Sequence, residues 1–416
     1  MQGDGGSRSL EATAEGLPAD GVVCFAGIDW WYHNRGHSEC QIMRRLASHC
    51  PVLWINSIGM RTPRPGGTEL AMLRYLRKLR STLKGLRRDE SGMWVYSPIF
   101  LPRYTPRALA FNGVALNGQV GLLLRRLGMR RPSAWVTVPT AAPAVLRGRW
   151  QRVIFNRSDD FATLPEVRSQ VIRVLERQLL ERSDRVLYVN HQLFDRERGA
   201  VRNAHFIDHG VDYEHFAGAR PRPERPPEAA PDSLAKLPRP VVGFYGGLNE
   251  YQIDLDLMIA CARKVPTGTL LVIGPRAMEI GRLLREPNVR YLGPIAYEEL
   301  PRFAAQFDVG IMPWLRNSWI EGCNPIKLKE YLALGFPIVS TFFPMLEPYD
   351  GLVLSARDQR EFLQKLDLAL ADRDPASAAA RRASVRHQSW ESVSARVGRW
   401  LELREDGASV REARAV

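Results

Sequence analysis

The sequence contains no run of eighteen apolar residues, so no bilayer-spanning helix is expected. Its five cysteines, Cys24, Cys40, Cys50, Cys261 and Cys323, form no CxxC and no paired spacing, which fits a reduced, cytoplasmic compartment. No His/Cys/Asp cluster at metal-ligand spacing occurs, and neither a GxGxxG nor a Walker motif is present. The first sixteen residues are polar and Gly-rich, without the basic-then-apolar order of a signal peptide. A disordered leader over 1–20 is expected. The basic stretches lack interleaved aromatics and any recognised nucleic-acid module, so nucleic acid ranks last among partners.

What is present is a globular composition, 45% hydrophobic and 25% charged over 416 residues, with a net charge of +13. That length accommodates two domains. Residues 1–215 hold 31 basic and 20 acidic side chains, so most of the surplus belongs to the N-terminal half. An anionic membrane surface, an anionic substrate or nucleic acid each suits such a bias.

In the first half, residues 21–27 read as a buried strand, followed by a loop, a helix over 40–48 and a second strand over 51–56. This is a βαβ unit with a parallel sheet. Asp29, His33 and His37 fall beyond the carboxyl end of the first strand, where such sheets bind ligands. The alternative is that they brace the loop. Leucines at helical spacing over 70–88, interleaved with Arg74, Arg77, Lys78, Arg80, Lys84, Arg87 and Arg88, predict an amphipathic helix. Either it lies on an anionic membrane, or it is a solvated helix packed on the domain. An apolar helix over 111–131 repeats the theme. Asp159 and Asp160 directly follow a strand over 152–155, where they would hold an acceptor hydroxyl, act as general base, or merely brace a loop. Helix and strand then follow over 166–182 and 185–189.

Prolines 221, 223, 226, 227, 231, 238 and 240 mark a linker. Beyond it, residues 241–248 form a strand ending in Gly246 and Gly247, and residues 270–275 another ending in Gly274. Glycines at such turns let phosphate oxygens approach the backbone. Strands over 289–293 and 309–313 continue this second open sheet. Asn324 suits a helix N-cap and Pro325 the first helical position. Gly335 suits the left-handed closing residue, with Pro337 beyond it. Lys327 and Glu330, three apart, share a face of that helix. A lysine in the first turn suits phosphate, and a carboxylate one turn deeper suits ribose hydroxyls. A Lys/Glu pair on a polar surface is the plainer alternative.

The stretch from Asn324 to Val339 resembles the donor-site signature of GT-B glycosyltransferases of group 1 (GT4-like), as found in bacterial polysaccharide enzymes, through Asn324, Pro325, Lys327, Glu330, Tyr331, Gly335 and Pro337. Residues 209–216 are similar to that family's strand exit, with His209 where asparagine is usual. The resemblance implies an α/β, GT-B fold of two tandem Rossmann-like domains around a cleft. Its expected parts are an acceptor domain over 21–216, a linker over 217–240, a nucleotide-sugar domain over 241–385, a helix over 386–404 crossing back, and a disordered tail over 405–416. It implies a UDP- or GDP-sugar donor bound by Gly246, Gly247, Gly274, Asn324, Pro325, Lys327 and Glu330, without a cofactor or metal. The acceptor would be a saccharide or lipid-linked, with Asp159, Asp160 and His37 as catalytic candidates and a peripheral site on the inner face of the plasma membrane.

Two departures stand out. Gly322 occupies the position eight before Glu330 where the wider group often has a second glutamate. Asn249 to Gln252 stand where an Arg and a Lys are usual, leaving Lys327, with Arg276 or Arg316, for the diphosphate. The resemblance favours retention of configuration; an Asp159 or Asp160 base would permit inversion. The competing readings are a nucleotide-sugar hydrolase or epimerase of this fold and a non-catalytic membrane-associated scaffold.

Overall fold

The computed structural model describes residues 18–33, 35–60, 69–163, 167–219, 234 and 236–403, with the backbone alone over 69–75. Most of the leader, the proline-rich part of the linker and the tail expected above lie outside the described residues.

The first domain holds strands β1 (Val22–Phe25), β2 (Val52–Ile55), β3 (Arg87–Arg88), β4 (Trp94–Tyr96), β5 (Ser133–Val136), β6 (Val153–Arg157), β7 (Arg185–Tyr188) and β8 (Ala204–Phe206). They form one sheet in the order β3-β4-β2-β1-β5-β6-β7-β8, parallel except where β3 runs against β4. The second domain holds β9 (Val241–Tyr245), β10 (Thr269–Ile273), β11 (Val289–Tyr291), β12 (Val309–Met312), β13 (Ile338–Thr341) and β14 (Leu354–Ala356), in the order β11-β10-β9-β12-β13-β14. All its pairings are parallel. Central strands such as β1, β9 and β10 are buried at every position, as sheets covered by helices on both faces require. Strand order reverses between β1 and β5, and again between β9 and β12. These switch points open crevices at the carboxyl ends of the strands.

Apolar clusters cover both faces of the first sheet, and a third fills the second domain. Val385 belongs to the second-domain core, whereas Trp390, Val393, Val397 and Leu401 belong to the first. The chain therefore crosses between the domains over 386–389, and the helix Trp390–Trp400 packs on the helix Ser38–Leu46.

Three elements differ from expectation. The basic helix spans Glu69–Leu83, and Arg87 and Arg88 become an edge strand instead. Its leucines do not all face inward: Leu76, Leu79 and Leu83 are 42%, 57% and 77% exposed. Lys78 is the side chain turned in, donating to the Ser57 carbonyl at 2.8 Å with its ammonium 5.4 Å from the centre of the Phe100 ring. The next helix begins earlier, at Pro106, because the Thr105 side chain accepts the Ala108 N–H and proline suits its first position. The strand exit after 209 coils into a helix over Tyr213–Gly218.

Candidate functional site

The helix Ile326–Leu334 is tied to the end of β9 by three side chains at positions 327, 330 and 331. The Tyr331 hydroxyl accepts the Tyr245 backbone N–H at 3.0 Å, and the Tyr245 hydroxyl donates to Glu330 at 2.7 Å. Lys327 lies over the following residue: a Cβ on Gly246 would sit 2.1 Å from its Nζ. Gly246 has φ +140°, a region L-residues avoid. Gly274, with φ +137°, packs so closely beside it that a Cβ there would lie 2.1 Å from the Gly246 carbonyl oxygen. Gly246, Gly274 and Lys327 thus form one cluster at the β9/β12 switch point. Gly247 has only the Asn249 amide near its α-carbon.

The Lys327 ammonium lies 4.6 Å from the Phe244 ring centre and 5.4 Å from that of Trp314. Among the described residues it has no hydrogen-bond or ion-pair partner. Burial lowers its pKa to about 8, against the pull of Glu330. Burial likewise raises the Glu330 carboxyl to about 7, although Tyr245, Lys327 and Tyr297 favour its ionised form. Among the described residues, Trp314 Nε1 and Asn249 Oδ1 are buried without hydrogen-bond partners in the same domain. A cation without an anion, facing glycine backbone, is an arrangement that a phosphate group completes. Arg276 is exposed and its backbone bridges to Leu248, beside this turn. Arg316 instead donates to the Arg357 carbonyl at 2.9 Å.

Asn324 is not the cap that the sequence suggests. Extended Pro325 precedes the helix as its cap residue, with no side-chain cap bond. The Asn324 amide reaches across to the first domain, donating to the Val189 carbonyl at 3.0 Å and to Asp208 Oδ1 at 2.9 Å. Lys329 follows it, with its Nζ 2.7 Å from Asp208 Oδ1 and a further bond to the His209 carbonyl. Burial pushes the Asp208 carboxyl up, but Lys329 outweighs it and holds the group below its usual pKa. Sequence reasoning missed Asp208 and Lys329. A lysine on the buried side of an apolar helix was the one available signal. Gly322 comes so close to Asn190 that a Cβ there would lie 2.6 Å from its amide nitrogen. A glutamate there, often found eight before Glu330, would require the Asn190 amide to shift.

On the first-domain wall the double carboxylate separates into two roles. Asp160 pairs with Arg196 at 2.7 Å and with Arg157 at 3.7 Å, so it braces a buried network rather than standing ready as a base. Arg157 in turn binds Glu176 and Glu197. Among the described residues the Asp159 carboxylate accepts only the Asp160 N–H, and burial raises its pKa to about 6. It lies within electrostatic reach of Cys323 across the interface.

Asp29 and His33 are spent on their own loop: Asp29 accepts from Trp31 N–H and the Ser81 hydroxyl, and His33 Nδ1 sits on the Asp29 backbone. His37 is exposed to solvent; desolvation, then His33, lowers its pKa to about 4. It stands within electrostatic reach of His209. Glu39, two residues on, was not foreseen; both its oxygens accept the Gly27 N–H.

Two α/β domains with parallel sheets, joined across their interface by Asn324 and Lys329 and with a lysine-bearing helix over glycine turns in the second, define a two-domain architecture of the GT-B kind. Residues 239–372 match the family model for glycosyl transferases group 1. The chain is similar to a putative teichuronic acid biosynthesis glycosyltransferase, TuaH, of Bacillus subtilis (strain 168), 27% identical over 292 residues that cover 65% of this chain and 72% of that protein. Solved structures with the same fold include a sucrose-phosphate synthase from Thermosynechococcus elongatus, with TM-score 0.64, 15% identity, and coverage of 92% of this chain and 98% of the other. Another is Anabaena HepE in complex with UDP, with TM-score 0.60, 14% identity and coverage of 91% and 98%. The second domain is a group 1 glycosyltransferase domain, and the chain is a glycosyltransferase built on the GT-B fold.

Proposed function

We propose that the chain transfers a sugar from a UDP- or GDP-sugar to a saccharide or lipid-linked acceptor in the assembly of a cell-surface polysaccharide or glycoconjugate, working in the cytoplasm at the inner face of the plasma membrane. The observation that carries this reading is Lys327, a half-buried lysine with no hydrogen-bond or ion-pair partner among the described residues, pressed against Gly246 one helical turn before Glu330. In this reading Lys327 and the Gly246–Gly247 backbone receive the diphosphate without a metal ion, and the helix N-terminus adds its partial positive charge. Glu330, oriented by Tyr245, accepts the ribose hydroxyls.

Asp159 and His37 form the acceptor wall. Transfer breaks the bond between the sugar's anomeric carbon and the diphosphate oxygen and makes one to the acceptor oxygen. The resemblance to the group 1 enzymes favours retention. The acceptor then attacks from the face the nucleotide leaves, and its proton passes to the departing phosphate oxygen. The polysaccharide role draws on the name of the Bacillus relative, and UDP as one of the two donor nucleotides on the UDP held by the Anabaena protein.

The test is thermal stabilisation of the wild type, Glu330→Gln and Glu330→Ala by UDP, GDP, ADP and CMP, since a ligand that binds only the folded state raises its apparent stability. One diphosphate should shift the wild type by several degrees at saturation and shift both variants far less. No shift with any nucleotide would remove the donor-site reading.

A further inference from the structure

The basic surplus of the first domain is concentrated in one part of it. From Ser91 to Ser158 the sequence has no Asp or Glu but ten arginines. Of fourteen large apolar side chains exposed among the described residues, eight lie between Leu76 and Leu122. The structure brings these segments side by side. Lys78 of the basic helix lies over Phe100. The backbone of Ile99 is held through both N–H and C=O by Gln119, and that of Leu101 likewise by Asn112. The extended segment 99–101 therefore runs between the helices Glu69–Leu83 and Pro106–Arg126.

With Phe100 turned in, its neighbours project outward, Ile99 67% and Leu101 45% exposed. Phe111, Val114 and Leu122 form an exposed stripe along the second helix, at 57%, 63% and 67%. Gly118 and Gly121 leave the same helix open, since a Cβ at either would meet nothing within 4 Å. Leu76, Leu79 and Leu83 line the other side. Arg77, Arg80, Arg103, Arg107, Arg125 and Arg126, all exposed, are distributed over the three segments.

We infer that this face inserts into an anionic bilayer, its apolar side chains entering the headgroup boundary while the arginines bind lipid phosphates. A second copy of the chain is the poorer occupant. A two-fold contact would set this face against itself, bringing arginines together on a surface whose 91–158 segment offers no carboxylate. The inference deepens the membrane part of the proposed function and shifts its basis. Of the cations first assigned to bilayer binding, Lys78 is turned inward and Lys84 lies 4.9 Å over Trp31, so apolar insertion carries the contact together with Arg77 and Arg80 from that helix and Arg103, Arg107, Arg125 and Arg126 beside it. Trp31 and Asp29, which the basic helix touches through Lys84 and Ser81, belong to the loop that leads to His37. The face thus adjoins the acceptor wall, where an acceptor held in the bilayer would enter.

The test is flotation of the full chain with vesicles of phosphatidylcholine, with and without phosphatidylglycerol. One variant combines Ile99→Ser, Leu101→Ser, Phe111→Ser and Leu122→Ser; the other combines Arg103→Gln, Arg107→Gln, Arg125→Gln and Arg126→Gln. The wild type should float only with phosphatidylglycerol, and each variant should bind at least about tenfold more weakly. Nucleotide-induced thermal shifts, measured without lipid, should be the same in all three, so a failure here leaves the transfer reading standing. Wild-type binding by the apolar variant would overturn insertion, as would equal or absent flotation on both vesicles. A wild-type dimer that the apolar variant turns into monomers, with vesicle binding unchanged, would overturn it in favour of self-association.

Discussion

Lys327 and Glu330 sit three residues apart in a buried site, and burial moves their pKa values towards each other, to about 8 and about 7. For Lys327 the folded value is below the unfolded one, so its charge costs stability below pH 8 and that cost disappears as pH rises from there. For Glu330 the folded value is raised, so stability falls as pH rises from the usual carboxylate range through 7. A bound diphosphate changes the lysine's balance, because an anion beside it favours the charged form. Nucleoside diphosphate affinity should therefore hold up to about pH 8 and fall above it by up to roughly tenfold per unit. Calorimetric titration between pH 7 and 9.5 measures this. Lys327→Arg should flatten the profile and Lys327→Met should weaken binding throughout. A wild-type profile flat to pH 9.5 would show that Lys327 does not meet the phosphate.

At the scale of elements, the helix Ile326–Leu334 has two working sides. One carries Lys327, Glu330 and Tyr331 towards β9; the other carries Lys329 towards the first domain, with Asn324 just ahead of it. The nucleotide helix is therefore also a hinge-side clamp. Lys329 is 1% exposed and Asp208 36% exposed. Asp208→Asn leaves a buried ammonium short of its anion and should cost about 2 kcal/mol, less than breaking a fully buried pair because water partly screens Asp208. Urea unfolding gives the loss. Hydrogen exchange should rise at 208–216 and 324–329 together, whereas a rise on one side only would show that the clamp does not join the domains. Asp208→Asn with Lys329→Met should recover part of the loss.

At the scale of the molecule, the last helix completes the first domain although it is made after the second. Trp390, Val397 and Leu401 are fully buried in the first-domain core. The Ser133 hydroxyl donates to the Leu401 carbonyl, and Arg45 pairs with Glu391. Ending the chain after residue 386 would uncover this apolar face on a domain that cannot close over it. The shortened protein should lose several kcal/mol from its first domain and aggregate on heating well before the full chain, as read by light scattering. A truncated protein with unchanged melting would show that the helix only decorates the surface.

Sequence alone determined the two parallel sheets, the glycine turns at Gly246 and Gly274, and the helix carrying Lys327 and Glu330. Each is written in local order: apolar runs between glycines, a proline before the helix and Gly335 closing it in the left-handed conformation. Tertiary structure decided what depends on partners distant in the chain. It drew Asn324 away from capping to a bond 116 residues distant with Asp208, and it divided Asp159 from Asp160 by giving Arg196 to one of them. It set the Asn190 amide against Gly322, where any side chain would have to displace it. It also left Leu76, Leu79 and Leu83 of the basic helix outside, while Lys78 found a carbonyl and an aromatic ring within. Backbone preference and hydrophobic period act over a few residues and can be read in sequence. Which polar group meets which across a domain boundary is set by packing, and packing exists only in the folded chain.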